Sequence, residues 1–499
     1  MTRGLSRFCR FFGVSAADLV PIGITMLVSV VVYSALVSGI VFTNHTIPNS
    51  LLYPYPSFKT VSEGRWLADI LIQLFGGGSQ TFQAFAGLLI QSVNGLLFAE
   101  LIGARGVAKR TMIALFVALF PAVPDLYSFT ADNITFTIAQ ALSLSAVFAL
   151  DRIRLYRWSI PTAAVLFALS LAGYQPLIVV SATVLVAWLL HRSITTTPRV
   201  SLFLASGLAM VLGLLLYWIS TKLTIIWPLP VSTNTNGVRE VAWEILRSYP
   251  NAVRRFYDFM IHQPLAGRLG VAATVVLSGW AVAAKLTRSN AAAIIACLIL
   301  MPLALQAVFI INADSTPSVS RFGVGYGYYL AFAASLAFDL FSKLKLGVVA
   351  TSAALYGLLF LAVQENGYTA LKSDYETQAI NRLVLKVGDL LKGDEHPALV
   401  VIGQFPLDHL DRLLSYPKRP FRPHTSSAAF MPYRQVEIAN FFMGADNLRS
   451  PTTAERDAAL ADAASHPIWP ANGSVYRSGD VIVAVLSRKT EDVTWVHDP

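Results

Sequence analysis

The chain has 499 residues, of which 55% are hydrophobic and only 13% are charged. Soluble domains carry about 25% charged residues, so this composition excludes a soluble protein over most of the chain. The formal net charge of +9 does not indicate a nucleic-acid partner, because much of the basic excess lies in short loops between apolar segments.

Apolar segments of helical length follow one another from the N-terminus to residue 365. A hydrocarbon core about 30 Å thick requires about 20 helical residues. We predict transmembrane helices at roughly 18–43, 82–102, 111–124, 133–150, 160–174, 176–191, 201–223, 267–285, 291–311, 325–341 and 347–364. Residues 1–365 are therefore predicted to form a polytopic α-helical membrane domain with about 11 transmembrane helices.

Basic residues concentrate in every second loop, and the positive-inside rule assigns those loops to the cytoplasm. These residues include Arg10, Arg105, Lys109, Arg110, Arg152, Arg192, Lys285 and Lys343. The N-terminus is then cytoplasmic. The external segments are residues 44–81, 125–132, 173–176, 224–266, 312–324 and 366–499.

Two external loops contain amphipathic patterns. Apolar residues recur at helical spacing from Trp66 to Phe75, which is typical of a helix lying in the membrane interface. The loop at 224–266 contains a predicted helix from Val238 to about Tyr249.

Residues 366–499 have the composition of a soluble domain. The pattern predicts a helix from Tyr375 to Leu391, a strand at Ala398–Ile402 and a buried strand at Asp480–Leu486. Two strands with helices between them indicate a small C-terminal soluble α/β domain.

Asp125, Asp132 and Asn133 lie at the external end of a predicted helical hairpin. One interpretation is that Asp132 or Asn133 caps the helix that begins at Ile134. The other is that a carboxylate here acts as the general base for an acceptor hydroxyl, or as a metal ligand, since a base needs a fixed position and a tuned pKa. The two roles are compatible.

The segment Glu63-Gly64-Arg65-Trp66 places a carboxylate, a cation and an aromatic ring before the amphipathic helix. It is interpreted either as an interfacial anchor, with Trp66 in the aromatic belt, or as a binding site. In the second interpretation Arg65 binds phosphate, which matches the guanidinium fork, and Glu63 contacts a sugar hydroxyl or takes up a proton.

Further polar residues interrupt the apolar pattern on the external side. Tyr174 and Gln175 either form a tight turn before Pro176 or bind sugar hydroxyls. Several basic residues are interpreted either as solvated or interfacial charges or as ligands of an anionic lipid head group: Lys222, Arg239, Arg254, Arg255 and Arg321.

The sequence contains no P-loop, no Gly-x-Ser-x-Gly motif, no zinc-ligand spacing and no dinucleotide fingerprint. These absences argue against an ATP-driven pump and against the common hydrolases. No cofactor is indicated. A divalent metal ion such as Mg²⁺ or Mn²⁺ is compatible with the acidic residues, but nothing in the sequence requires one.

Three short segments occur in the order found in a known family. Residues 62–71 (SEGRWLADIL) resemble the GRW/GRPLADLL segment of the bacterial and phage serotype-converting glucosyltransferases of type II. Residues 129–133 (FTADN) are similar to that family's FTAD segment, and residues 171–175 (LAGYQ) to its GIYQ turn. The resemblance extends from about residue 20 to residue 410.

This resemblance implies a GT-C-like integral membrane glycosyltransferase of the bacterial inner membrane that uses a polyprenyl-phosphate sugar as donor on the periplasmic side. The type members add glucose to the O-antigen of lipopolysaccharide, with inversion at the anomeric carbon. The implied partners are the lipid-linked donor, a glycan acceptor and the bilayer, with functional links to a lipid-sugar synthase and a small flippase.

The first external loop departs from the family pattern. The family usually has an acidic pair upstream of the Gly-Arg, whereas Glu63 is the only acid between residue 44 and Arg65 here. Three explanations are open. Either Glu63 replaces the acidic pair, or Asp132 acts as the base, or this member uses a different donor or is inactive.

The residues predicted to be catalytic are Asp132, Asp125 and Glu63. Those predicted to bind the substrate or the lipid phosphate are Arg65, Trp66, Tyr174, Gln175, Arg321, Lys222, Arg254 and Arg255. A lipid-linked sugar transporter or flippase is the alternative function, but it needs polar residues at mid-membrane, and only Asn94, Glu100 and Gln306 are candidates. A glycan polymerase is a further alternative, distinguished by repeated addition.

Overall fold

The computed structural model describes residues 15–39, 41–42, 60–61, 63–75, 79–129, 132–153, 158–196, 199–224, 238–311, 320–340, 345–393, 395–405, 430–489, 492–494 and 496. For residues 16, 238–240, 311, 320 and 321 it describes the backbone only. Contacts divide the chain into two compact units. The first comprises Met1–Val37, Tyr55–Asn366 and Lys418–Arg422, and the second comprises Ser38–Pro54, Gly367–Pro417 and Pro423–Pro499.

The first unit is built from helices, because an apolar segment in a hydrocarbon environment must satisfy its backbone hydrogen bonds internally. Its α-helices are Leu19–Val32, Ser34–Val37, Trp66–Phe75, Gln80–Leu101, Val107–Ala118, Ala122–Tyr127, Asn133–Asp151, Ser159–Gly173, Ile178–Thr195, Val200–Thr224, Val238–Ile261, Leu265–Ala283, Ala291–Leu305, Ala307–Ile311, Val324–Phe338 and the first part of Leu346–Gly388. Single 3₁₀ turns lie at Ala16–Asp18, Gln175–Leu177 and Ser320–Gly323.

Every apolar segment predicted from the sequence overlaps one of these helices. Within the described residues, six helical segments are long and apolar enough to cross a membrane: Gln80–Leu101, Asn133–Asp151, Gln175–Thr195, Val200–Thr224, Leu265–Ala283 and Leu346–Gly388. Shorter apolar helices include Leu19–Val32, Ser159–Gly173, Ala291–Leu305 and Val324–Phe338. The chain is a helical protein whose apolar helices are compatible with membrane insertion. The count of eleven spans stays a prediction.

Small residues let the helices of the first unit approach closely, as is common between membrane helices. A Cβ atom added to Gly95 would lie 2.6 Å from the Ala114 Cα, and one added to Gly267 would lie 2.6 Å from the Gly357 Cα. The helices that carry these glycines therefore pack backbone against backbone.

Ion pairs join helix ends at the loops that the sequence assigns to the cytoplasm. Arg110 pairs with both Asp18 and Glu100. The Lys109 Nζ lies 2.6 Å from the Asp339 Oδ2. The basic residues of these loops therefore also bind helices to one another, while the orientation of the chain stays a prediction.

The second unit contains a three-stranded sheet in the order β1-β3-β2. Strands β1 (Ala398–Ile402) and β3 (Val481–Val485) run parallel, in register from Ala398 opposite Val481 to Ile402 opposite Val485. Strand β2 (Val475–Ser478) pairs antiparallel with β3. Both β1 and β3 are buried along their length, as expected for strands of a sheet that is covered on both faces.

Helices Gln435–Met443 and Thr453–Asp462 lie between β1 and β3 in the chain. The core of this unit includes Ile380, Leu383 and Ile438. The predicted strands coincide with β1 and β3, and the predicted helix from Tyr375 belongs to Leu346–Gly388. Strand β2 was not predicted, because three of its four residues are half-exposed and the fourth is exposed, so it has no buried apolar pattern. The boundary between a membrane domain and a soluble domain at residue 365 stays a prediction.

Candidate active site

A tight turn sets the backbone of Arg65. Gly64 has a φ of +67°, a conformation that glycine adopts without steric cost, and its N–H donates to the Thr60 carbonyl at 3.2 Å. The Asp69 N–H donates to the Arg65 carbonyl at 3.1 Å. The Thr60 Oγ1 donates to the Asp69 carboxylate at 2.6 Å. Arg65 thus leads into helix Trp66–Phe75 in a fixed position.

The Arg65 side chain is the centre of a polar cluster. Its Nη1 lies 2.9 Å from the Glu63 Oε2, and its Nε donates to the Gln175 Oε1. The guanidinium carbon lies 4.8 Å from the centroid of the Tyr174 ring. The Gln175 Nε2 donates to the Glu63 carbonyl at 2.5 Å. Four predicted site residues from two distant segments are therefore in direct contact.

Tyr174 and Gln175 form a turn and also take part in the cluster. Helix Ser159–Gly173 ends before Tyr174, which has an extended backbone, and the 3₁₀ turn Gln175–Leu177 follows. The Tyr174 ring lies 4.4 Å from the Phe136 ring, between centroids. The turn interpretation is thus correct for the backbone, while the side chains contact Arg65.

Asp132 occupies the N-cap position of helix Asn133–Asp151, which begins one residue before the predicted Ile134, but its side chain makes no capping hydrogen bond. Its carbonyl accepts from the Phe136 N–H at 2.9 Å. The residue is 2% exposed. The cap interpretation therefore holds for the backbone of Asp132 and not for its carboxylate.

The Asp132 carboxylate acts electrostatically on Arg65. Burial lowers the pKa of Arg65, but the charge of Glu63, followed by Tyr174 and Asp132, opposes it and leaves that pKa above its ordinary value. Asp132 therefore lies close enough to the cluster for its charge to stabilise the guanidinium, which stays protonated.

Asp125 lies in the short helix Ala122–Tyr127 and is 5% exposed. The Ser128 Oγ donates to the Asp125 carbonyl at 2.7 Å. This helix contacts the turn Ser320–Gly323, which carries Arg321. The Arg321 side chain lies outside the described part of the chain, so its binding role stays a prediction.

Trp66 is anchored to helix Val200–Thr224, where its Nε1 donates to the Ser220 Oγ at 3.1 Å. The Lys222 Nζ of the same helix lies 5.8 Å from the Trp218 ring centroid.

Tyr217 acts electrostatically on Arg65. Sequence reasoning missed Tyr217 and Ser220. The available signal was their spacing of one helical turn at the polar end of an apolar helix.

Helix Val238–Ile261 is longer than predicted, because Pro250 lies within it and does not end it. Ser248 and Ala252 are buried on one side of the helix, so the packing continues across the proline. Arg254 is exposed, whereas Arg255 is half-buried.

The predicted external segments meet in the first unit. Helix Trp66–Phe75 contacts both Asn133–Asp151 and Ser159–Gly173, and helix Ala307–Ile311 contacts the turn Gln175–Leu177. Elements far apart in the sequence therefore pack against the two segments that carry the Glu63, Arg65 and Gln175 cluster.

Among the described residues, no group of three or more His, Cys, Asp or Glu side chains is placed to hold a metal ion. The site as described consists of carboxylates, arginines, a tyrosine and an amide. Such a set can bind hydroxyl and phosphate groups and can accept a proton.

The family model described as Glucosyl transferase GtrII matches residues 39–338. The matched segment includes the Glu63, Arg65 and Gln175 cluster and also Asp125, Asp132, Arg255 and Arg321. No curated protein and no solved structure shows a significant match to the chain.

Proposed function

Since the chain belongs to the serotype-converting glucosyltransferase family, GtrII, we propose that it transfers glucose from a polyprenyl-phosphate sugar to a surface glycan such as O-antigen. The proposed place of transfer is the periplasmic side of the bacterial inner membrane, with residues 366–499 on the same side. The observation that carries the proposal is the Glu63, Arg65 and Gln175 cluster with the Asp132 carboxylate acting on it.

The proposed reaction is a direct displacement at the sugar C1. A bond forms between the acceptor oxygen and C1, while the bond from C1 to the phosphate oxygen breaks and its electron pair leaves with the phosphate. The acceptor hydroxyl loses its proton to a carboxylate. The phosphate is a stable leaving group, so positioning and charge stabilisation supply much of the rate.

Asp132 is proposed as the base, because its buried carboxylate is not used to cap the helix behind it. Glu63 is already paired with Arg65, so its proposed role is to position the guanidinium. Asp125 is proposed to assist from the adjoining helix Ala122–Tyr127.

The remaining predicted residues are proposed to bind the donor. Tyr174 and Gln175 would contact sugar hydroxyls, and Trp66 would hold the interfacial helix against Ser220. The basic residues proposed for the lipid phosphate, together with Arg65, are Lys222, Arg254, Arg255 and Arg321.

A flippase is less well supported, because the polar residues available for a transport route bind other protein groups. The Asn94 Nδ2 donates to the Thr137 carbonyl at 2.9 Å, and the Gln306 Nε2 donates to the Tyr326 hydroxyl at 2.7 Å. Glu100 pairs with Arg110.

The test is a transfer assay with the full-length protein in liposomes, using undecaprenyl-phosphate [¹⁴C]glucose and lipopolysaccharide. One labelled glucose per acceptor site supports the proposal. Movement of label across the bilayer without a new glycosidic bond would establish a flippase, and chains of added sugars would establish a polymerase.

A further inference from the structure

Two arginines on the predicted external side differ in the charges around them. Arg65 has Glu63 as an ion-pair partner. Arg255 has no ion-pair partner among the described residues, and its Nε is buried without a hydrogen-bond partner there. Buried polar groups in native proteins are nearly always satisfied, so the unpartnered Nε of Arg255 marks a position where a hydrogen-bond acceptor is expected.

An aromatic ring covers one face of the Arg255 guanidinium. The guanidinium carbon lies 3.5 Å from the centroid of the Phe309 ring. A ring on the face leaves the edges of the planar fork for hydrogen bonding, and those edges match the oxygens of a phosphate. Helix Ala307–Ile311, which carries Phe309, contacts the turn that carries Gln175. Arg255 is therefore linked to the transfer site through one short helix.

The charge state of Arg255 supports a ligand of opposite sign. Burial lowers its pKa to about 10, while Tyr326 and Glu244 oppose this effect. The group is still a cation at neutral pH, but its charge is less well stabilised than that of Arg65. An anion at its free edge would stabilise this cation.

We propose that Arg255 binds a phosphate ester anion, and that this is the phosphate joining the lipid to the sugar in the donor. The assignment rests on the proposed glucosyl transfer. Among the basic residues proposed for this phosphate, Arg65 already has its charge neutralised by Glu63, so Arg255 is the cation that receives the charge of the leaving phosphate. The donor phosphodiester carries one negative charge. The released phosphate monoester has a second pKa of about 6, so most of it carries two negative charges at neutral pH. Arg255 thus interacts more strongly after the C1–O bond breaks.

The test measures binding of radiolabelled undecaprenyl phosphate to the full-length protein in phosphatidylcholine nanodiscs. Arg255→Gln is expected to raise the dissociation constant at least about tenfold. Arg255→Lys is expected to lie between Gln and wild type, since it keeps the charge and loses the fork. The control is Arg247→Gln on the same helix, because Arg247 is 55% exposed and already pairs with Glu244 at 3.2 Å; its constant should stay within about twofold of wild type.

Two competitors identify the source of the phosphate. Inorganic phosphate and phosphatidylglycerol should both compete weakly in the wild type. Equal competition by phosphatidylglycerol would overturn the donor assignment in favour of a general lipid head group.

Unchanged binding by a folded Arg255→Gln protein, checked by gel filtration and thermal unfolding, would overturn the site itself. If the wild type transfers glucose in that case, the proposed function stands. If binding depends on Arg255 but no glucose is transferred, the proposed function fails and the phosphate site stands.

Discussion

The Arg65 Nε donates a hydrogen bond to the Gln175 Oε1, although the two residues lie 110 positions apart in the chain. Gln175 in turn donates through Nε2 to the Glu63 carbonyl at 2.5 Å, and Arg65 pairs with the Glu63 carboxylate. The turn before helix Trp66–Phe75 and the turn at Gln175 are therefore joined by a closed set of contacts among Glu63, Arg65 and Gln175. The three residues should respond to mutation as a unit.

A double-mutant cycle on Glu63 and Arg65 should show strong coupling. Each single change to Gln removes one charge of the pair where the side chains are only 17% and 20% exposed, whereas the double change removes both charges. We expect a coupling free energy of roughly 0.5–3 kcal/mol in unfolding, measured by thermal unfolding in nanodiscs. Additive losses would contradict the ion pair.

Asp132→Asn should abolish transfer without loss of folded protein. The Asp132 side chain does not cap its helix, so the structure should tolerate the amide, while the loss of a general base should lower kcat by about 10²–10⁴-fold. The measurement is glucose transfer from a polyprenyl-phosphate donor. The matched control is Asp339→Asn at the opposite helix ends, where the side chain is 71% exposed. Undiminished turnover in Asp132→Asn would remove Asp132 as the base.

Gly95→Ala should destabilise the fold, whereas Gly207→Ala should not. The added Cβ at Gly95 would meet the Ala114 Cα at 2.6 Å, but at Gly207 it would meet nothing within 4 Å. Overpacking of this kind costs about 1–3 kcal/mol, and alanine is favoured over glycine in a helix by about 1 kcal/mol. Apparent melting temperatures in detergent should fall for the first variant and stay level or rise for the second. Equal melting temperatures would rule out the close helix contact.

Glu455 should stabilise the second unit in a pH-dependent way. The hydrogen bonds from Arg449 are the main reason that the pKa of Glu455 falls to about 2, from an ordinary value of 4.5. Because the folded-state pKa is the lower one, the stabilisation is complete above the unfolded pKa and is lost as the pH falls through the folded pKa. Hydrogen-exchange protection of helix Thr453–Asp462 should therefore be lower in Glu455→Gln than in wild type at pH 6.

That difference should shrink as the pH approaches the folded pKa of Glu455, about 2. The comparison variant is Asp457→Asn, since Asp457 is 58% exposed and its ion-pair partner is its sequence neighbour Arg456. Its protection should match wild type at each pH. A Glu455→Gln difference that does not depend on pH would assign the effect to the hydrogen-bond geometry of the side chain and not to its charge.

Much of the site could be predicted as a set of residues but not as a set of contacts. Glu63, Arg65, Tyr174 and Gln175 are visible in the sequence because they interrupt apolar patterns. Their pairing is not visible, since it depends on how helices Trp66–Phe75 and Ser159–Gly173 pack together. Tyr217 was missed for the same reason, because its position at a helix end does not show that it acts on Arg65.

The helical class of the chain, the positions of its apolar helices, strands β1 and β3, and the family can all be read from the amino-acid sequence. These features depend on composition, periodicity and short motifs, which are local properties. Three features require the three-dimensional structure: the Asp132 carboxylate does not cap its helix, Glu63 pairs with Arg65, and the Arg255 Nε has no hydrogen-bond partner among the described residues. The physical reason is that the charge state and the role of a buried polar group depend on its neighbours in space, and spacing along the chain does not specify those neighbours.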